Sequence, residues 1–301
     1  MKLRSWIAAV RLKFLPQGVL PVLLGSAVAW HSLGVFNPYY FILAFIGMSL
    51  VQSALTMLND ALDYIHGTDT SSTNVKNPFS GGSGVLVDGS IKPREMLTAV
   101  AIFYLVALSI GLYLSYTIGF TLLYIILLGF FISIFYSAPP LRFAYTGLGE
   151  FAILIGYGPV ITMGAYYVQT QALGVQALLA GLVPGIFMWA MIVVNEIPDY
   201  EEDKRAQKMN LVVRLGREKG RDAFALSLVA IYLLIVSFVF LGVFPFYALL
   251  ALLSLPIALK AVRYLRKYYL DKGKVALANR EMVKLYSSTM LLFSIGFLIL
   301  R

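Results

Sequence analysis

Residues 40–64 decide the fold class, because an uncharged stretch runs directly into a group of acids: YFILAFIGMSLVQSALTMLNDALDY. Positions 40–58 carry no Asp, Glu, Lys or Arg, and they are long enough to cross the roughly 30 Å hydrocarbon layer of a bilayer as a helix. Stretches of this kind recur along the whole chain. They lack the polar/apolar alternation of barrel strands, and backbone groups in lipid must be bonded internally. The sequence therefore predicts an all-α membrane protein.

The composition of the 301-residue chain favours burial in a membrane over a soluble fold. Apolar side chains make up 59% of the chain and charged ones 13%, whereas ordinary soluble domains contain about 25% charged residues. No cysteine is present, which excludes disulfides, thiolate metal sites and cysteine nucleophiles. The net charge of +9 follows membrane topology, so we expect no nucleic-acid partner.

About nine transmembrane helices are predicted, in one bundle that forms a single domain over residues 1–301. Lys and Arg concentrate on the cytoplasmic side of membrane proteins. With the N-terminus cytoplasmic, 23 of the 24 basic residues fall on inner segments, and only Arg301 falls outside. We therefore expect an integral protein of the cell membrane, in contact with lipids. The predicted spans are 15–36, 40–58, 95–115, 118–137, 148–167, 176–195, 223–242, 245–262 and 283–300.

Two matching polar motifs lie at the ends of the second and sixth predicted spans. Residues 59–64 read Asn-Asp-Ala-Leu-Asp-Tyr and residues 195–200 read Asn-Glu-Ile-Pro-Asp-Tyr, so the two motifs suggest two related halves of the chain. Side chains four positions apart share one face of a continuing helix, although Pro198 can kink or end the second helix. The resulting oxygen-bearing stripes are Asn59 with Asp63, and Asn195 with Asp199 and Asp203.

These two stripes predict a magnesium site at the inner membrane face. Carboxylate and amide oxygens are hard ligands that suit Mg²⁺, which commonly shares its coordination with substrate phosphates. Neighbouring acids also repel one another unless a cation compensates them. Two facing clusters could each hold a Mg²⁺ ion, and the two ions would bridge one diphosphate. The candidate ligands are Asn59, Asp60, Asp63, Asn195, Asp199 and Asp203, of which Asp63 and Asp199 are also expected to be catalytic.

The motifs resemble those of the UbiA superfamily of intramembrane prenyltransferases, and the resemblance extends over almost the whole chain. It is carried by residues 59–69, Asn-Asp-x-x-Asp-Tyr-x-x-Gly-x-Asp, and by residues 199–203, Asp-x-x-x-Asp. Residues 145–150, Tyr-x-Gly-Leu-Gly-Glu, and residues 210–216, Asn-Leu-x-Val-x-Leu-Gly, resemble the branch that prenylates 1,4-dihydroxy-2-naphthoate in menaquinone synthesis. Residues 77–84 lack the Arg-containing loop common in that branch.

The resemblance implies Mg²⁺-dependent transfer of a prenyl group from an allylic isoprenyl diphosphate to an aromatic acceptor such as 1,4-dihydroxy-2-naphthoate, in lipid-quinone biosynthesis. It also implies that Tyr136 and Arg142 face the diphosphate or the carbocation, since an aromatic face attracts cations and a guanidinium binds phosphate bidentately. Tyr136 is therefore expected to be catalytic and Arg142 to bind the diphosphate. Another aromatic ring or a glycerol-phosphate ether remains open as the acceptor. The cytoplasmic cap that would hold the site comprises residues 59–94, 138–147 and 196–222.

The segment from Lys76 to Gly89 is interpreted as a glycine-rich loop over the substrate. Glycine-rich backbone can approach phosphates closely, and Lys76 can pair with them as a point charge. Asp69 is also expected near the diphosphate. A cation-coupled transporter with two repeats is the alternative from a different class. Transporter sites lie near the bilayer midplane, whereas these acids cluster at the ends of the spans, which favours the enzyme.

Overall fold

The structure, a computed structural model, describes residues 2–67 and 82–299, and it is all-helical within those ranges. Two 3₁₀ segments, Leu12–Phe14 and Phe246–Ser254, and a π-helical segment, Gly156–Val160, join α-helices. The α-helices are α1 Lys2–Val10, α2 Leu15–Leu33, α3 Pro38–Ile65, α4 Pro93–Ile118, α5 Thr121–Ser137, α6 Phe143–Thr146, α7 Gly149–Ile155, α8 Ile161–Thr170, α9 Val175–Arg205, α10 Leu211–Leu215, α11 Arg217–Phe240, α12 Leu255–Tyr268 and α13 Ala276–Leu298.

All nine predicted spans coincide with helical segments, and seven of these segments are long and apolar enough to cross a membrane. The two remaining spans coincide with α5 and α13. Helix α5 has only 17 residues, and α13 has 23 residues with Arg280, Glu281 and Lys284 near its start. The protein is thus an integral membrane protein with multiple helical spans. The count of nine, the relation between the halves and the orientation in the membrane stay predictions.

Helix α9 lies at the centre of the hydrophobic core, where Val183, Phe187 and Ile197 are fully buried. The glycines of α9 allow it to approach a second helical rod closely. This rod, the α7–α8 rod, is formed by α7, the π-helical segment and α8, which follow one another without a break. A Cβ atom at Gly185 would lie only 2.5 Å from the Leu154 carbonyl oxygen, so no larger residue fits there without a shift. Small residues serve this purpose in membrane helix packing. The contact brings the start of α7 beside the end of α9.

The helix that carries the second motif does not end at Pro198; α9 continues to Arg205. Proline has no N–H to donate to the carbonyl four residues earlier, that of Val194. Asn279 of α13 replaces that donor, since its Nδ2 lies 3.3 Å from the Val194 carbonyl oxygen and 2.6 Å from Asn195 Oδ1. The proline is therefore accommodated, and Asp203 stays on the same helix as the motif.

A short helix, α1, precedes the first span. It precedes a turn at Arg11, whose backbone is left-handed with φ of 52°. Trp6 packs against a buried cluster that includes Met57 of α3. The chain that returns at residue 82 joins the same cluster through buried residues, among them Val85 and Ile91. Two separate segments therefore lie against α3 beside the first motif.

Candidate active site

The two motifs meet at one side chain, Lys208, in the turn after α9. Its Nζ lies 3.8 Å from Asp63 Oδ2 and 3.7 Å from Asp203 Oδ1. Both aspartates are buried. Burial by itself favours the neutral lysine, but the carboxylates of Asp63 and Asp203 outweigh that effect and hold the pKa of Lys208 well above its ordinary value. Lys208 is therefore a cation that links the first motif to the second.

The turn after α9 places Lys208 through a compact set of hydrogen bonds. The Lys208 backbone N–H donates to the Asp203 carbonyl at 2.8 Å, and Gln207 adopts a left-handed φ of 56°. Asn210 then caps α10, because its Oδ1 accepts from the Val213 N–H at 2.8 Å. The Nδ2 of the same side chain donates to Asp203 Oδ2 at 2.7 Å. One asparagine thus orients both the carboxylate and the turn that bears the lysine.

The α5–α7 connection contributes Tyr145 and Arg142 to the same place. The Tyr145 hydroxyl donates to Asp63 Oδ1 at 3.1 Å. The Arg142 guanidinium carbon lies 3.8 Å from the centre of the Tyr145 ring, close enough for a cation–π contact. Its Nε is buried and has no hydrogen-bond partner within the described part of the chain. The structure therefore places Arg142 beside the first motif with a donor still to be satisfied.

Two loops are tied together over these helix ends, the one that contains α6 and the one between α9 and α10. The Leu211 N–H donates to Glu150 Oε1 at 2.6 Å, and the Met209 N–H donates to the Tyr145 carbonyl at 3.2 Å. Arg214 adds a bond from its Nη2 to the Thr146 carbonyl at 2.9 Å. The loops therefore hold Tyr145 and the lysine turn as one unit.

The two motif asparagines use opposite ends of their amide groups. Asn59 donates from Nδ2 to Ser137 Oγ at 3.0 Å, whereas the Oδ1 of Asn195 accepts from Asn279. Tyr136, one residue before Ser137, is close enough to Lys208 for an electrostatic interaction between the two side chains. The predicted site residues Asn59, Asp63, Tyr136, Arg142, Asn195 and Asp203 therefore all lie at the same end of the helices as the lysine.

Asp60 was expected to bind the metal ion. In the structure, both of its carboxylate oxygens are already paired with protein groups. Arg11 Nη1 lies 3.1 Å from Oδ1, and the Ser83 backbone N–H donates to Oδ2 at 2.7 Å. The Asp60 side chain is 2% exposed. This geometry supports a structural role, in which Asp60 joins α3 to the turn after α1 and to the returning chain at residue 83.

The oxygen-bearing side chains of this site suit Mg²⁺ in their chemistry. Within residues 2–67 and 82–299, no three His, Asp or Glu side chains converge closely enough to hold a metal ion. Asp63 and Asp203 do converge on a single cation, the Lys208 ammonium, and both supply the hard oxygens that Mg²⁺ prefers. Asp63 and Asp203 therefore fit Mg²⁺ chemically, and the Lys208 ammonium lies between their carboxylates. The predicted diphosphate ligands Asp69 and Lys76 lie outside the described residues.

An apolar cavity of about 170 Å³ begins at Tyr136 and runs between α3, α4, α5 and the α7–α8 rod. Apart from Tyr136, Ser133 and Tyr157, its walls are aliphatic side chains, glycines, one phenylalanine and one methionine. The Tyr136 end adjoins the charged residues described above. The molecule therefore combines a polar cluster with a hydrophobic compartment directly below it.

Sequence reasoning missed Lys208 and Asn279 and gave Tyr145 and Glu150 no individual role. Lys208 was one of many basic residues that the topology already explained. Its position five residues after Asp203 was the available signal. Asn279 lies in a different helix, and only the absent N–H of Pro198 could have pointed to a buried amide elsewhere in the chain.

The match to a known family spans most of the chain. Residues 18–287 match the model of the UbiA prenyltransferase family. The chain belongs to the UbiA prenyltransferase family. It is therefore a membrane-embedded prenyltransferase, and the transporter alternative is set aside.

Curated relatives and solved structures agree with this assignment. The chain is 28% identical over 296 residues to 2-carboxy-1,4-naphthoquinone phytyltransferase of Synechocystis sp., covering 98% of this chain and 93% of the relative. It is 27% identical to 1,4-dihydroxy-2-naphthoate octaprenyltransferase of Escherichia coli, covering 97% and 94%. Among solved structures, a UbiA homologue from Aeropyrum pernix K1 superposes with a TM-score of 0.71 at 15% identity, covering 96% and 98%. A homologue from Archaeoglobus fulgidus bound to DMAPP and Mg²⁺ gives 0.65 at 14%, covering 95% and 99%. The solved structures show that this UbiA-family chain shares their fold.

Proposed function

We propose that this enzyme transfers a prenyl group from an allylic isoprenyl diphosphate to 1,4-dihydroxy-2-naphthoate in lipid-quinone biosynthesis. The observation that carries the proposal is the convergence of two buried carboxylates, Asp63 and Asp203, on one half-buried cation next to an apolar cavity. A diphosphate needs the first feature and an isoprenoid tail needs the second. The naphthoate and naphthoquinone acceptors in the relatives' names support the choice of acceptor.

The residues that would hold Mg²⁺ are Asn59 and Asp63 on α3 and Asn195, Asp199 and Asp203 on α9, and we propose two ions. Mg²⁺, when bound, offsets the negative charge that develops on the departing diphosphate. Lys208 and Arg142 would bind the diphosphate oxygens directly, because both are cations beside the first motif. Asp69 and Lys76 remain proposed contacts from the segment outside the described residues.

The reaction then follows from charge placement and water exclusion. The bond between the allylic carbon and the diphosphate oxygen breaks, and its electron pair leaves with the diphosphate. The cation left behind lies against the apolar walls and the Tyr136 ring, whose face favours positive charge. Excluding water prevents hydrolysis of that cation. The acceptor ring carbon that bears the carboxylate forms the new bond, and loss of CO₂ returns its electron pair to the ring.

We further propose that the site faces the cytoplasm and that residues 1–301 act as one domain with a cap over the helix ends. The division of basic residues supports this orientation. Reporters fused after residues 90 and 210 should both read as cytoplasmic, and one fused after residue 172 should read as external. Reporters at 90 and 210 on opposite sides would rule out a site built from both motifs.

The direct test is a product assay with the purified protein. The protein is incubated with Mg²⁺, labelled geranylgeranyl diphosphate and one acceptor at a time: 1,4-dihydroxy-2-naphthoate, a second dihydroxylated aromatic acid, or geranylgeranylglyceryl phosphate. Mass spectrometry should show the prenylated naphthalene with loss of CO₂, and EDTA should abolish it. Product from the glycerol-phosphate ether alone would make this a lipid-ether enzyme. Turnover undiminished by EDTA would refute the magnesium mechanism.

A further inference from the structure

The apolar cavity has a regular course that allows its length to be estimated. On α5 its wall includes Leu122, Gly129 and Tyr136, and it takes up one face of that helix at every turn between them. On α3 the wall extends from Leu43 to Leu55 in the same way. The cavity therefore runs nearly parallel to these helices, from the polar cluster at Tyr136 to the opposite end of α5.

The helix rise converts this course into a length. Leu122 and Tyr136 lie 14 positions apart on α5, which corresponds to about 21 Å at 1.5 Å per residue. An extended isoprene unit adds four carbon–carbon bonds of about 1.5 Å, or about 5 Å after allowing for bond angles. The cavity therefore matches an isoprenoid tail of about four units, with its diphosphate at the charged end.

The end of the cavity far from Tyr136 is closed by a packed cluster. Leu114, Leu122 and Val168 line the cavity there and are 3%, 2% and 4% exposed, and they pack with Ile118 and Tyr167. A Cβ atom at Gly119, in the α4–α5 turn, would lie 2.8 Å from the Tyr167 hydroxyl, so that ring lies directly against the turn. The cavity therefore ends against these packed side chains.

We propose that the closed end formed by Leu114, Leu122 and Val168 selects the donor, and that this enzyme prefers an allylic diphosphate with four isoprene units. The inference rests on the proposed function, because it concerns the donor of that reaction. The relatives' names include both a phytyl and an octaprenyl transferase, so family membership leaves the donor length open. The length of the cavity and its closed end supply the limit.

The first experiment compares donors of different length with the native protein. Diphosphates with two, three, four, six and eight isoprene units are supplied with Mg²⁺ and 1,4-dihydroxy-2-naphthoate, and kcat/KM is measured for each. We expect a maximum at four units and a value at least about tenfold lower at eight, since an apolar pocket discriminates by about that factor or more against groups that it cannot seat. Equal kcat/KM for four and eight units would overturn the proposal.

Variants along the cavity should shift the preferred donor length in both directions. Leu122→Ala lengthens the cavity and should raise kcat/KM for six units relative to four by about threefold or more. Leu128→Ala is the matched control on the same helix, because Leu128 is 46% exposed and does not line the cavity. Gly47→Leu partly fills the cavity, since a Cβ at this position meets only Ile110 at 3.6 Å, and it should favour donors shorter than four units.

Each outcome of the variant experiment is decisive. Retained turnover with the three-unit donor shows that Leu122→Ala is folded, and an unchanged length preference in that folded variant would overturn the proposal. The same shift in Leu128→Ala would also overturn it, because that side chain lies outside the cavity. If Leu122→Ala does not fold, Gly47→Leu decides: a shift to shorter donors supports the closed end, and no shift refutes it.

A binding measurement separates this inference from the proposed reaction. The melting temperature of the native protein is recorded with Mg²⁺ and each diphosphate, without any acceptor, because a ligand that binds only the folded state raises it. A length-dependent rise without product formation would retain the donor preference and refute the acceptor. An equal rise for all lengths would refute the length limit alone. No rise with any diphosphate would refute both.

Discussion

The two copies of the Asn-[Asp/Glu]-x-x-Asp-Tyr motif begin alike and end differently. Helix α3 stops at Ile65, and Gly67 follows with a left-handed φ of 80°. At the equivalent position of the second copy stands Asp203, still within α9. The continuation depends on Asn279, which supplies the hydrogen bond that Pro198 cannot make. At this position the first copy therefore has a glycine in a turn, and the second has an acid on a helix.

The second position of the motif also differs between the copies. In the first copy, Asp60 pairs with Arg11, so its charge is balanced within the protein. In the second copy, the equivalent Glu196 lies beside another acid, Glu150. The first copy therefore depends on neighbouring segments for its charge balance. Asp63 of the first copy and Asp203 of the second share Lys208, and any cation that enters the site competes with that lysine.

The largest expected effect concerns the acid that the two copies share at equivalent positions, Asp63 in the first and Asp199 in the second. Asp63→Asn and Asp199→Asn each remove one charge at constant volume, and we expect each to lower kcat about 10²- to 10³-fold, as loss of a preorganised electrostatic group does. The double variant should be little worse than either single one, because both act on one diphosphate. Turnover is measured against Mg²⁺ concentration, with melting temperatures recorded in parallel.

Asp271→Asn is the matched control for this pair, since Asp271 lies on a turn where its partner is Lys274. It should leave kcat and its dependence on Mg²⁺ unchanged. Wild-type turnover in either motif variant would show that the copy concerned takes no part in catalysis. The comparison between the two copies would then reduce to one functional motif and one structural motif.

Lys208→Met should have the next largest effect and should act in opposite directions on two measurements. Loss of a charged hydrogen bond to the diphosphate costs about 1.5–3 kcal/mol, so kcat/KM should fall about ten- to a hundredfold. Mg²⁺ should raise the melting temperature of the variant more than that of the wild type, because no ammonium competes for Asp63 and Asp203. Lys204→Met, at an exposed lysine of the same helix end, is the control. A smaller response to Mg²⁺ in Lys208→Met would show that the lysine and the ion do not share a position.

The pH dependence of Lys208 has a definite sign. Its pKa in the folded protein is raised, so its stabilising effect is fully present below the unfolded value of about 10.4 and is lost only as pH rises through the folded value. The difference in melting temperature between wild type and Lys208→Met, measured in EDTA, should therefore stay constant from about pH 6 to pH 9. A difference that shrinks across this range would place the folded pKa below the unfolded one.

Asn279→Ala tests the extension of α9 and should have a moderate effect. The Val194 carbonyl loses its donor in a buried position, which costs about 1–3 kcal/mol, and the melting temperature should fall accordingly. Turnover should fall about three- to tenfold because Asp199 and Asp203 lie beyond the proline. Adding Pro198→Ala restores the backbone N–H, so the double variant should be more stable than Asn279→Ala alone. No recovery in the double variant would refute the role given to Asn279.

The sequence predicted the helical spans well because hydropathy is a property of contiguous residues. It did not predict where α3 and α9 end, because those ends depend on a left-handed turn at Gly67 and on an amide from α13. Asp63 and Asp199 could be selected from the sequence as candidate site acids because they repeat at equivalent positions. Lys208 was not, since a lysine that balances Asp63 across the bundle looks the same in sequence as a lysine that marks the cytoplasmic side.

Asp60→Asn should have the smallest effect on turnover, and it decides what the first motif contributes. The amide keeps the volume and can still accept from either Arg11 or the Ser83 N–H, so kcat at saturating Mg²⁺ should stay within about threefold of wild type. Arg11→Met should be more destabilising, by about 3–5 kcal/mol, because it leaves a buried carboxylate unpaired. The order of melting temperatures, wild type above Asp60→Asn above Arg11→Met, tests the ion pair. If Asp60→Asn instead abolishes turnover in a protein that melts like wild type, Asp60 binds the metal, as the sequence alone predicts, and Arg11 must release it before the ion can enter.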